Sequence, residues 1–412
     1  MAPAPVLRLI FRGKHLVSRN NFNRAMRWLS TEKIESVGCC TTLRYQIPDD
    51  DGIAGNTIQM VSQAKWEAIE FPKVYGISNG GRIEYWSNGI KLLAFENGIQ
   101  HPYSDFIRFG KNAYWDKKSR FQLRKTLPFD KDLINVTSGV DYCYLEEPLE
   151  FQDFDEAFSL CGVHASLWGH FIPTFLPKLQ CLGDLPTDRE IAVVIPNNAD
   201  DHIRQFVIDS CRSFANCRVI NLRPECSIRA RRLYFCTSPA FLIDHATNLH
   251  TADFQISDWS IQGIKKFADI ATSTYAKSSR PRKLYIGRDG LRNIVGQAEL
   301  EKFFVSSGYE KVYPHKLLFN EKVDLFNNSS HIAGPGSSGF ANVIFCQPGT
   351  KVLMLSSYTR TIDGYLSTIA NSQFSLDLTL LAGFDNDQSG IHSDYAISVD
   401  EVRQAARNLG FV

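Results

Sequence analysis

A glycine-rich stretch near the C-terminus constrains the fold most strongly. Residues 329–355 read SSHIAGPGSSGFANVIFCQPGTKVLML. We predict a buried strand at Ser330–Ala333, a tight turn at Gly334–Gly339, a helix at Phe340–Phe345 and a second strand at Lys351–Leu355. Such a turn directs unpaired backbone N–H groups and the positive end of a helix at one point, which suits phosphate. The alternative, a turn that only joins a strand to a helix, stays open on this motif alone.

The same turn fits the dinucleotide-binding pattern G-x-G-x-x-G at Gly334, Gly336 and Gly339. That pattern expects an acidic residue about 20 residues further on, at the end of the second strand, to bind a ribose. Here the second strand runs into Ser356–Ser357, and the first acid beyond it is Asp363. We therefore expect a phosphate site and no hydride-transfer site.

Charge and composition exclude several classes of partner. The 45 basic and 44 acidic residues give a net charge of +1, which provides no overall attraction for nucleic acid. No apolar run approaches the ~18 residues that span a bilayer. The ten cysteines form no C-x-x-C pair and no metal-ligand spacing. We expect buried thiols in a reducing compartment, and a cytoplasmic protein.

Residues 1–34 form a basic N-terminal segment, with no acidic residue before Glu32. Its first 31 residues carry six basic side chains among many apolar ones: Arg8, Arg12, Lys14, Arg19, Arg24 and Arg27. Three interpretations stay open: peripheral contact of residues 6–30 with an anionic membrane at its inner face, a cleaved organellar presequence, and a solvated tail. Trp28 and the density of apolar side chains favour membrane contact.

Residues 35–130 have the pattern of a small β-meander. Three Asn-Gly pairs recur every nine residues, at Asn79-Gly80, Asn88-Gly89 and Asn97-Gly98. Asn-Gly favours the positive φ angles of two-residue hairpin turns, so we predict a hairpin at each pair.

From about residue 160 the pattern changes to alternating strands and helices. The predicted strands are Ile191–Pro196, Arg218–Leu222, Arg232–Cys236, Lys283–Ile286 and Lys311–Tyr313. The predicted helices include one from Asp258, Gln297–Val305, Asn320–Phe326 with Asn320 as N-cap, and Val399–Leu409. Two runs of such units predict two parallel-sheet domains facing a cleft, with the seam near residues 240–256. We place the N-terminal domain, meander included, at residues 35–250 and the C-terminal domain at 251–412.

Two arginines follow the predicted strand Lys283–Ile286. Ligands of parallel sheets bind beyond the carboxyl ends of the strands, and Arg288 and Arg292 lie there. Their guanidinium groups are suited to hold a diphosphate through paired hydrogen bonds. The alternative is a solvated loop with two surface arginines.

A histidine and an acidic motif complete the candidates. His170 follows Gly169 at the start of an apolar helix, and a histidine there could accept a proton near neutral pH. A hydrogen-bonded structural role is the alternative. Asp153-Phe154-Asp155 has the letters of a D-x-D metal motif but precedes the strand–helix region. We predict a solvated turn there and no metal site.

In order and spacing, residues 145–400 resemble glycosyltransferase family 61, which includes bacterial capsular-polysaccharide enzymes, plant xylosyltransferases and animal N-acetylglucosaminyltransferases. The matching segments run from the family's His-aromatic-Leu helix start to its Gly-Pro-His-Gly-Ala-Gly-Leu-x-Asn turn. They are His170–Ile172, Leu176–Leu179, Gly287–Arg288 with Arg292, Gln297–Glu299, Gly308–Pro314, Leu318–Phe326, Gly334–Asn342 and Pro348–Gly349.

Three positions depart from the family pattern. Gly336 stands where the family has a histidine, Thr174 where it has an acid, and Gly296 where it has an asparagine. Loss of the acid leaves His170 as the candidate general base, whereas Ser337 and Ser338 could offset the missing histidine. The departures also keep open a catalytically inactive sugar- or nucleotide-binding homologue within a polysaccharide assembly complex.

The resemblance implies an inverting glycosyltransferase with an α/β fold of GT-B type, that is, two Rossmann-like parallel-sheet domains with a cleft, here preceded by the β-rich meander. It implies a nucleotide-sugar donor, UDP-linked by preference, a glycan, polysaccharide or lipid-linked acceptor, and neither cofactor nor metal. His170 is the implied catalytic base. The residues implied at the donor are Arg288, Arg292, Gly336, Ser337 and Ser338 for the diphosphate, and Tyr313, Pro314 and Glu321 near the base and ribose.

Overall fold

The computed structural model describes twelve segments of the chain. They are residues 42–48, 51–87, 89–116, 130, 133–136, 141–186, 188–241, 255–277, 281–289, 293–357, 364–385 and 394–412. The basic segment at 1–34, Asn88, Arg292 and most of the predicted seam lie outside the described residues.

The strands of these segments are numbered in chain order. The first fourteen are β1 Thr42–Gln46, β2 Thr57–Ser62, β3 Lys65–Phe71, β4 Lys73–Val74, β5 Gly81–Ser87, β6 Ile90–Gln100, β7 Phe106–Phe109, β8 Asn112–Trp115, β9 Leu133–Val136, β10 Tyr142–Glu146, β11 Glu150–Ser159, β12 Ile191–Ile195, β13 Cys217–Asn221 and β14 Cys226–Cys236. The others are β15 Ala240–Phe241, β16 Gln255–Ile256, β17 Arg282–Ile286, β18 Ile294–Val295, β19 Glu310–Val312, β20 Ser329–Pro335, β21 Lys351–Ser357, β22 Asp377–Asp385 and β23 Tyr395–Ala396.

Helices alternate with these strands in the second half of the chain. The α-helices are α1 Trp168–Thr174, α2 Asp201–Cys211, α3 Asp258–Tyr275, α4 Gln297–Ser306, α5 Phe319–Asn327, α6 Gly364–Gln373 and α7 Val399–Asn408. The described segments also contain 3-10 helices at Asp51–Asn56, Leu176–Asp184, Pro314–Lys316 and Ser338–Phe345. No helix in these segments is long and apolar enough to cross a bilayer.

The first sheet is mixed. Its order is β13-β12-β11-β14-β6-β7-β8-β1-β10-β9, and β2 also pairs with β6. The run β13-β12-β11-β14 is parallel, and β6 joins it antiparallel to β14. The α/β class is therefore confirmed, but strands β6, β7 and β8 of the predicted meander share one sheet with the parallel strands β12–β14, while β3 and β5 form a separate two-stranded sheet. The apolar pattern of β6 explains this, because it is buried along most of its length like a central strand.

The predicted hairpins are largely wrong. Asn97-Gly98 lies inside β6, where Asn97 has a φ of +52°. β5 pairs with β3 and not with β6, so Gly89 does not close a two-residue hairpin. A long connection that holds Gly80, with a φ of +91°, joins β3 to β5. Asn-Gly indicated backbone positions with positive φ, but it did not indicate which strands pair.

The second sheet carries the glycine-rich turn. Its order is β18-β23-β22-β21-β20-β17-β19, with β4 alongside β22. The five strands β22-β21-β20-β17-β19 are parallel, so their carboxyl ends meet at one edge. One apolar core cluster contains residues of both sheets, including Phe158 and Val193 of the first and Ile286 and Ile332 of the second. The two-domain boundary near residue 250 and the GT-B arrangement stay predictions.

Three local predictions differ from the structure. The helix predicted at Asn320–Phe326 begins at Phe319, with Leu318 and not Asn320 as N-cap, because the carboxylate of Glu321 accepts the backbone N–H of Leu318 at 2.9 Å. Asp153-Phe154-Asp155 lies within strand β11 and is not a turn; Arg229 pairs with Asp153 across the sheet at 2.5 Å. The helix predicted at Phe340–Phe345 is of the 3-10 type.

Candidate active site

A cavity of about 290 Å³ opens at the carboxyl ends of β17, β19 and β20. Three loops of the second sheet form one wall, which we call the turn wall: Gly287–Asp289, Pro314–His315 and Ser337–Gly339. The other wall, the helix wall, comes from the first half of the chain and from two further helices. Its members are Ser166, Leu167, Trp168, Asp200, His202, Lys322 and Asn342. The cavity thus lies where open parallel sheets bind ligands.

The backbone of the glycine-rich turn offers two unpaired donors. The N–H of Gly336 donates to the carbonyl of Leu355 at 2.7 Å, and its carbonyl accepts from Arg288. By contrast, the N–H groups of Ser337 and Ser338 have no partner among the described residues. Of the three positions predicted from sequence, Ser337 and Ser338 can therefore donate to an anion.

Glycine is required where this turn leaves the sheet. Gly334 has a φ of +149°, and a Cβ there would lie 2.5 Å from the carbonyl oxygen of Ile286. A Cβ on Gly169 would lie 3.2 Å from Cβ of Ser338. These glycines let β17 and α1 approach the turn closely. The turn wall and the helix wall therefore meet at Ser338.

Arg288 is held against the turn. Its guanidinium donates to the carbonyl of Gly336, and its own carbonyl accepts from the side chain of Gln297 at 3.0 Å. Asp289 beside it accepts from Lys316 at 2.8 Å, and this hydrogen bond lowers the pKa of Asp289. The carboxylate of Asp289 is thus engaged, whereas the half-buried Arg288 lies at the cavity.

The helix wall contains a histidine that the sequence argument missed. His202 lies in the first turn of α2, beyond the carboxyl end of β12. Burial and the nearby Lys322 lower the pKa of His202, while a hydrogen bond to the backbone of His315 and the neighbouring Asp200 act in the opposite direction. The ring is therefore neutral at pH 7, and with one nitrogen bonded to the backbone the other can accept a proton.

The remaining predicted residues lie at varying distances from the cavity. His170 is not among the lining residues, and its ring centroid lies 4.7 Å from that of His164. Pro314 lines the cavity, and the ring of Tyr313 packs against Gly287, where a Cβ would meet it at 2.8 Å. Glu321 caps α5 and is exposed.

Two lining residues could have been found from sequence. The rule that places ligands beyond parallel strands also applies to strand Ile191–Ile195, after which the loop reaches Asp200 and His202. No sequence signal indicates that Lys322 is buried, because its position on the inner face of α5 depends on how that helix packs.

Among the described residues, no cluster of three or more His, Cys, Asp or Glu side chains is arranged to hold a metal.

Comparison with known proteins adds a family to this geometry. Residues 168–353 match the family model described as Glycosyltransferase 61. The match begins at Trp168 on the helix wall, includes all three loops of the turn wall, and covers less than half of the chain. A search among curated proteins gives no match.

Proposed function

Residues 168–353 belong to glycosyltransferase family 61, and from that premise we propose that the protein transfers a sugar from a nucleotide-sugar donor, UDP-linked by preference, to a glycan, polysaccharide or lipid-linked acceptor. The observation that carries the proposal is the convergence of one guanidinium and two unpaired N–H groups on a single cavity. Such donors suit a diphosphate, whose oxygens accept charge-assisted hydrogen bonds. The family match supports the glycosyltransferase activity itself.

The donor would lie along the turn wall. Arg288, Ser337 and Ser338 would hold the diphosphate, and the loop at Tyr313 and Pro314 would lie beside the base. The role of Arg292 stays a prediction, since that residue lies outside the described segments. The GT-B arrangement, in which the acceptor comes from the N-terminal side, is part of the same proposal and accounts for a cavity with walls from both halves of the chain.

The helix wall offers a general base. As the acceptor hydroxyl oxygen bonds to C1 of the sugar, its proton would pass to the free ring nitrogen of His202. The bond from C1 to the diphosphate breaks, and its electron pair leaves with the nucleoside diphosphate. Arg288 and the N–H groups of Ser337 and Ser338 would stabilise that charge. Attack from the face opposite the leaving group inverts the anomeric centre.

We propose His202 as this base ahead of His170, the candidate from sequence. His202 lines the cavity and has a lowered pKa, which keeps the ring able to accept a proton at neutral pH. His170 lies one residue beyond Gly169, on the helix that packs against Ser338, so a movement of α1 could still bring it to an acceptor. The separate substitution of the two histidines decides between them.

Transfer itself tests the proposal. The full-length protein would be incubated with UDP-glucose, UDP-N-acetylglucosamine, UDP-xylose and UDP-glucuronate, with oligosaccharide acceptors, and released UDP would be measured. Release of UDP that depends on Arg288 supports the proposal. If the protein binds a donor but releases no UDP, either alone or with any of the acceptors, the result would instead support the catalytically inactive homologue that Thr174 and Gly336 suggest. Failure to bind any of the donors would overturn both.

A further inference from the structure

Lys322 is a buried cation with no hydrogen bond or ion pair among the residues that the structure describes. Its side chain is 2 % exposed, and it lines the cavity from the first turns of α5. No hydrogen bond or ion pair joins its amine to any other residue that the structure describes. The ring of Trp168 lies beneath the amine, with its centroid 4.5 Å from Nζ. Lysine is almost never fully buried unless it is paired, so this position requires a reason.

The groups around the amine do not neutralise it. Asp200 attracts it without forming an ion pair and uses a carboxylate oxygen to cap α2 through the N–H of Ile203 at 3.0 Å. His202 beside it is neutral at pH 7. Burial lowers the pKa of Lys322 to about 8, so most of the amine is charged at pH 7. An anion in the cavity would meet a positive charge that Asp200 attracts but that no described side chain neutralises in an ion pair.

Two further polar atoms in the helix wall are also unpaired. The indole Nε1 of Trp168 and the amide Oδ1 of Asn342 are buried without a hydrogen-bond partner in the described segments. Buried polar groups are nearly always hydrogen-bonded, and leaving them unpaired destabilises the folded chain. Trp168 and Asn342 both line the cavity, so two unpaired polar atoms belong to the same wall as the buried cation of Lys322.

We propose that Lys322 binds an anionic oxygen of the ligand in this cavity and, resting on the proposed function, that this oxygen belongs to the nucleotide-sugar donor. A donor carries such an oxygen on its diphosphate, or on the carboxylate of a uronic acid sugar. An ammonium group recognises both through the same charge-assisted hydrogen bond. Lys322 would thus act from the helix wall on the ligand that Arg288 holds from the turn wall.

A rise in pH through about 8 then has opposite effects on the affinity for the anion and on the stability of the fold. The ammonium form binds, so affinity falls as pH rises through about 8, and binding takes up protons in that range. The unfolded chain keeps its lysine proton up to about pH 10.4. Because the native state loses that proton first, the contribution of Lys322 to stability is least favourable below pH 8 and improves above it.

Calorimetric titration tests this with pyrophosphate, UDP, UDP-glucose and UDP-glucuronate. Lys322→Met should weaken binding by about 10- to 100-fold, the range expected for a lost hydrogen bond to a charged group. It should also abolish the pH dependence between pH 7 and 9 and raise the melting temperature, because an unpaired buried charge is removed. Equal weakening for all four probes indicates the diphosphate; weakening of UDP-glucuronate alone indicates the carboxylate. Lys302→Gln, an exposed lysine on α4, controls for net charge.

Each contrary result has a separate meaning. Unchanged affinity and pH dependence in Lys322→Met, with nucleotides still bound, overturns this inference and leaves the proposed function standing. If the protein binds pyrophosphate in a way that depends on Lys322 but binds none of the nucleotides, the cavity is an anion site, and the proposed nucleotide-sugar donor is wrong. If the wild-type protein binds none of the four probes, both proposals fail.

Discussion

Two charged hollows in this molecule differ in how their charges are satisfied. The candidate active-site cavity measures about 290 Å³, whereas a groove on the first sheet measures about 600 Å³ and is lined by Asp153–Glu156, Arg189, Glu190, Ala192, Arg218 and Arg231. In the groove, Glu156 accepts hydrogen bonds from Arg189 at 2.9 Å and Arg231 at 3.0 Å. In the cavity, the amine of Lys322 and the N–H groups of Ser337 and Ser338 have no hydrogen-bond partner among the described residues.

The larger hollow is therefore the weaker candidate. A ligand entering the groove would have to compete with ion pairs that already satisfy one another, including Arg218 with Glu190 at 2.9 Å. A ligand entering the cavity would instead form hydrogen bonds with polar groups that lack a partner in the free protein. Its binding would therefore remove the free-energy cost of leaving those groups unpaired. The unpaired state of polar groups, more than volume or charge count, distinguishes a binding site from a structural network.

The sharpest test of this difference removes one arginine from each hollow. Arg288→Ala should lower transfer by about 10²- to 10³-fold, the loss expected when one fixed donor to a developing negative charge is removed. Arg189→Ala in the groove should change transfer by less than about twofold, since its partner Glu156 keeps Arg231. Initial rates of UDP release measure both.

Folding must be intact for that comparison to count. Both arginines are half-exposed, so melting temperatures close to wild type are expected for both variants. Near-normal turnover of a folded Arg288→Ala protein would remove Arg288 from the site, and a large loss in Arg189→Ala would mean that the groove takes part in the reaction.

The strand and the glycine turn that form part of the turn wall could be predicted from the sequence because these elements are local. Strand, glycine turn and following helix are adjacent in the chain, and Gly334 is demanded by one close approach to β17. The parallel order of β17, β19 and β20 then brings Arg288, Pro314 and Ser338 together by a general rule of such sheets.

The helix wall could not be predicted in the same way. Its residues come from separate parts of the chain and meet only when α1, α2 and α5 pack around Trp168. Lys322 on an amphipathic helix reads as a solvated charge, and only packing places it inside. The same limit explains the hairpin errors, because Asn-Gly indicates positive φ and says nothing of the partner strand.

The next largest effect separates the two candidate bases. His202→Gln should lower kcat by about 10²-fold or more, because general base catalysis typically contributes that much, and should leave donor affinity within a few-fold. In the wild-type protein, protonation of His202 should make kcat decline toward acidic pH, and this decline should be absent from the variant. Because the pKa of His202 is lowered, the decline should lie below the usual histidine range.

His170→Gln is the matched control on α1. A role for His202 requires that His170→Gln keep both kcat and the acid side of the pH profile. If instead His170→Gln loses kcat and the acid side of the pH profile while His202→Gln keeps both, the base is His170, and α1 must move toward the acceptor during the reaction. Quantification of kcat and KM for each variant between pH 5 and 8 discriminates the two.

A smaller effect, on stability alone, is expected in the groove. Glu156 is buried and also accepts from the hydroxyl of Tyr234 at 2.6 Å. Glu156→Gln should therefore lower the free energy of unfolding by about 1–3 kcal/mol, because it weakens hydrogen bonds to a buried charge. Glu190→Gln, which alters an exposed pair, should cost less than about 1 kcal/mol. Urea unfolding measures both, and a fall in transfer that exceeds the loss of folded protein would give the groove a functional role.

The smallest effect is expected at the acidic motif. Asp153 is exposed and pairs with Arg229, and that hydrogen bond lowers its pKa, so it stays ionised but engaged down to acidic pH. A metal bound between Asp153 and Asp155 would have to displace this guanidinium. Asp153→Asn, and excess EDTA applied to the wild-type protein, should each leave the rate of transfer unchanged. The contrary result would be an activity that EDTA abolishes and Mn²⁺ restores, and that Asp153→Asn also loses. It would mean that a metal held in the groove, and not Arg288, stabilises the negative charge of the reaction.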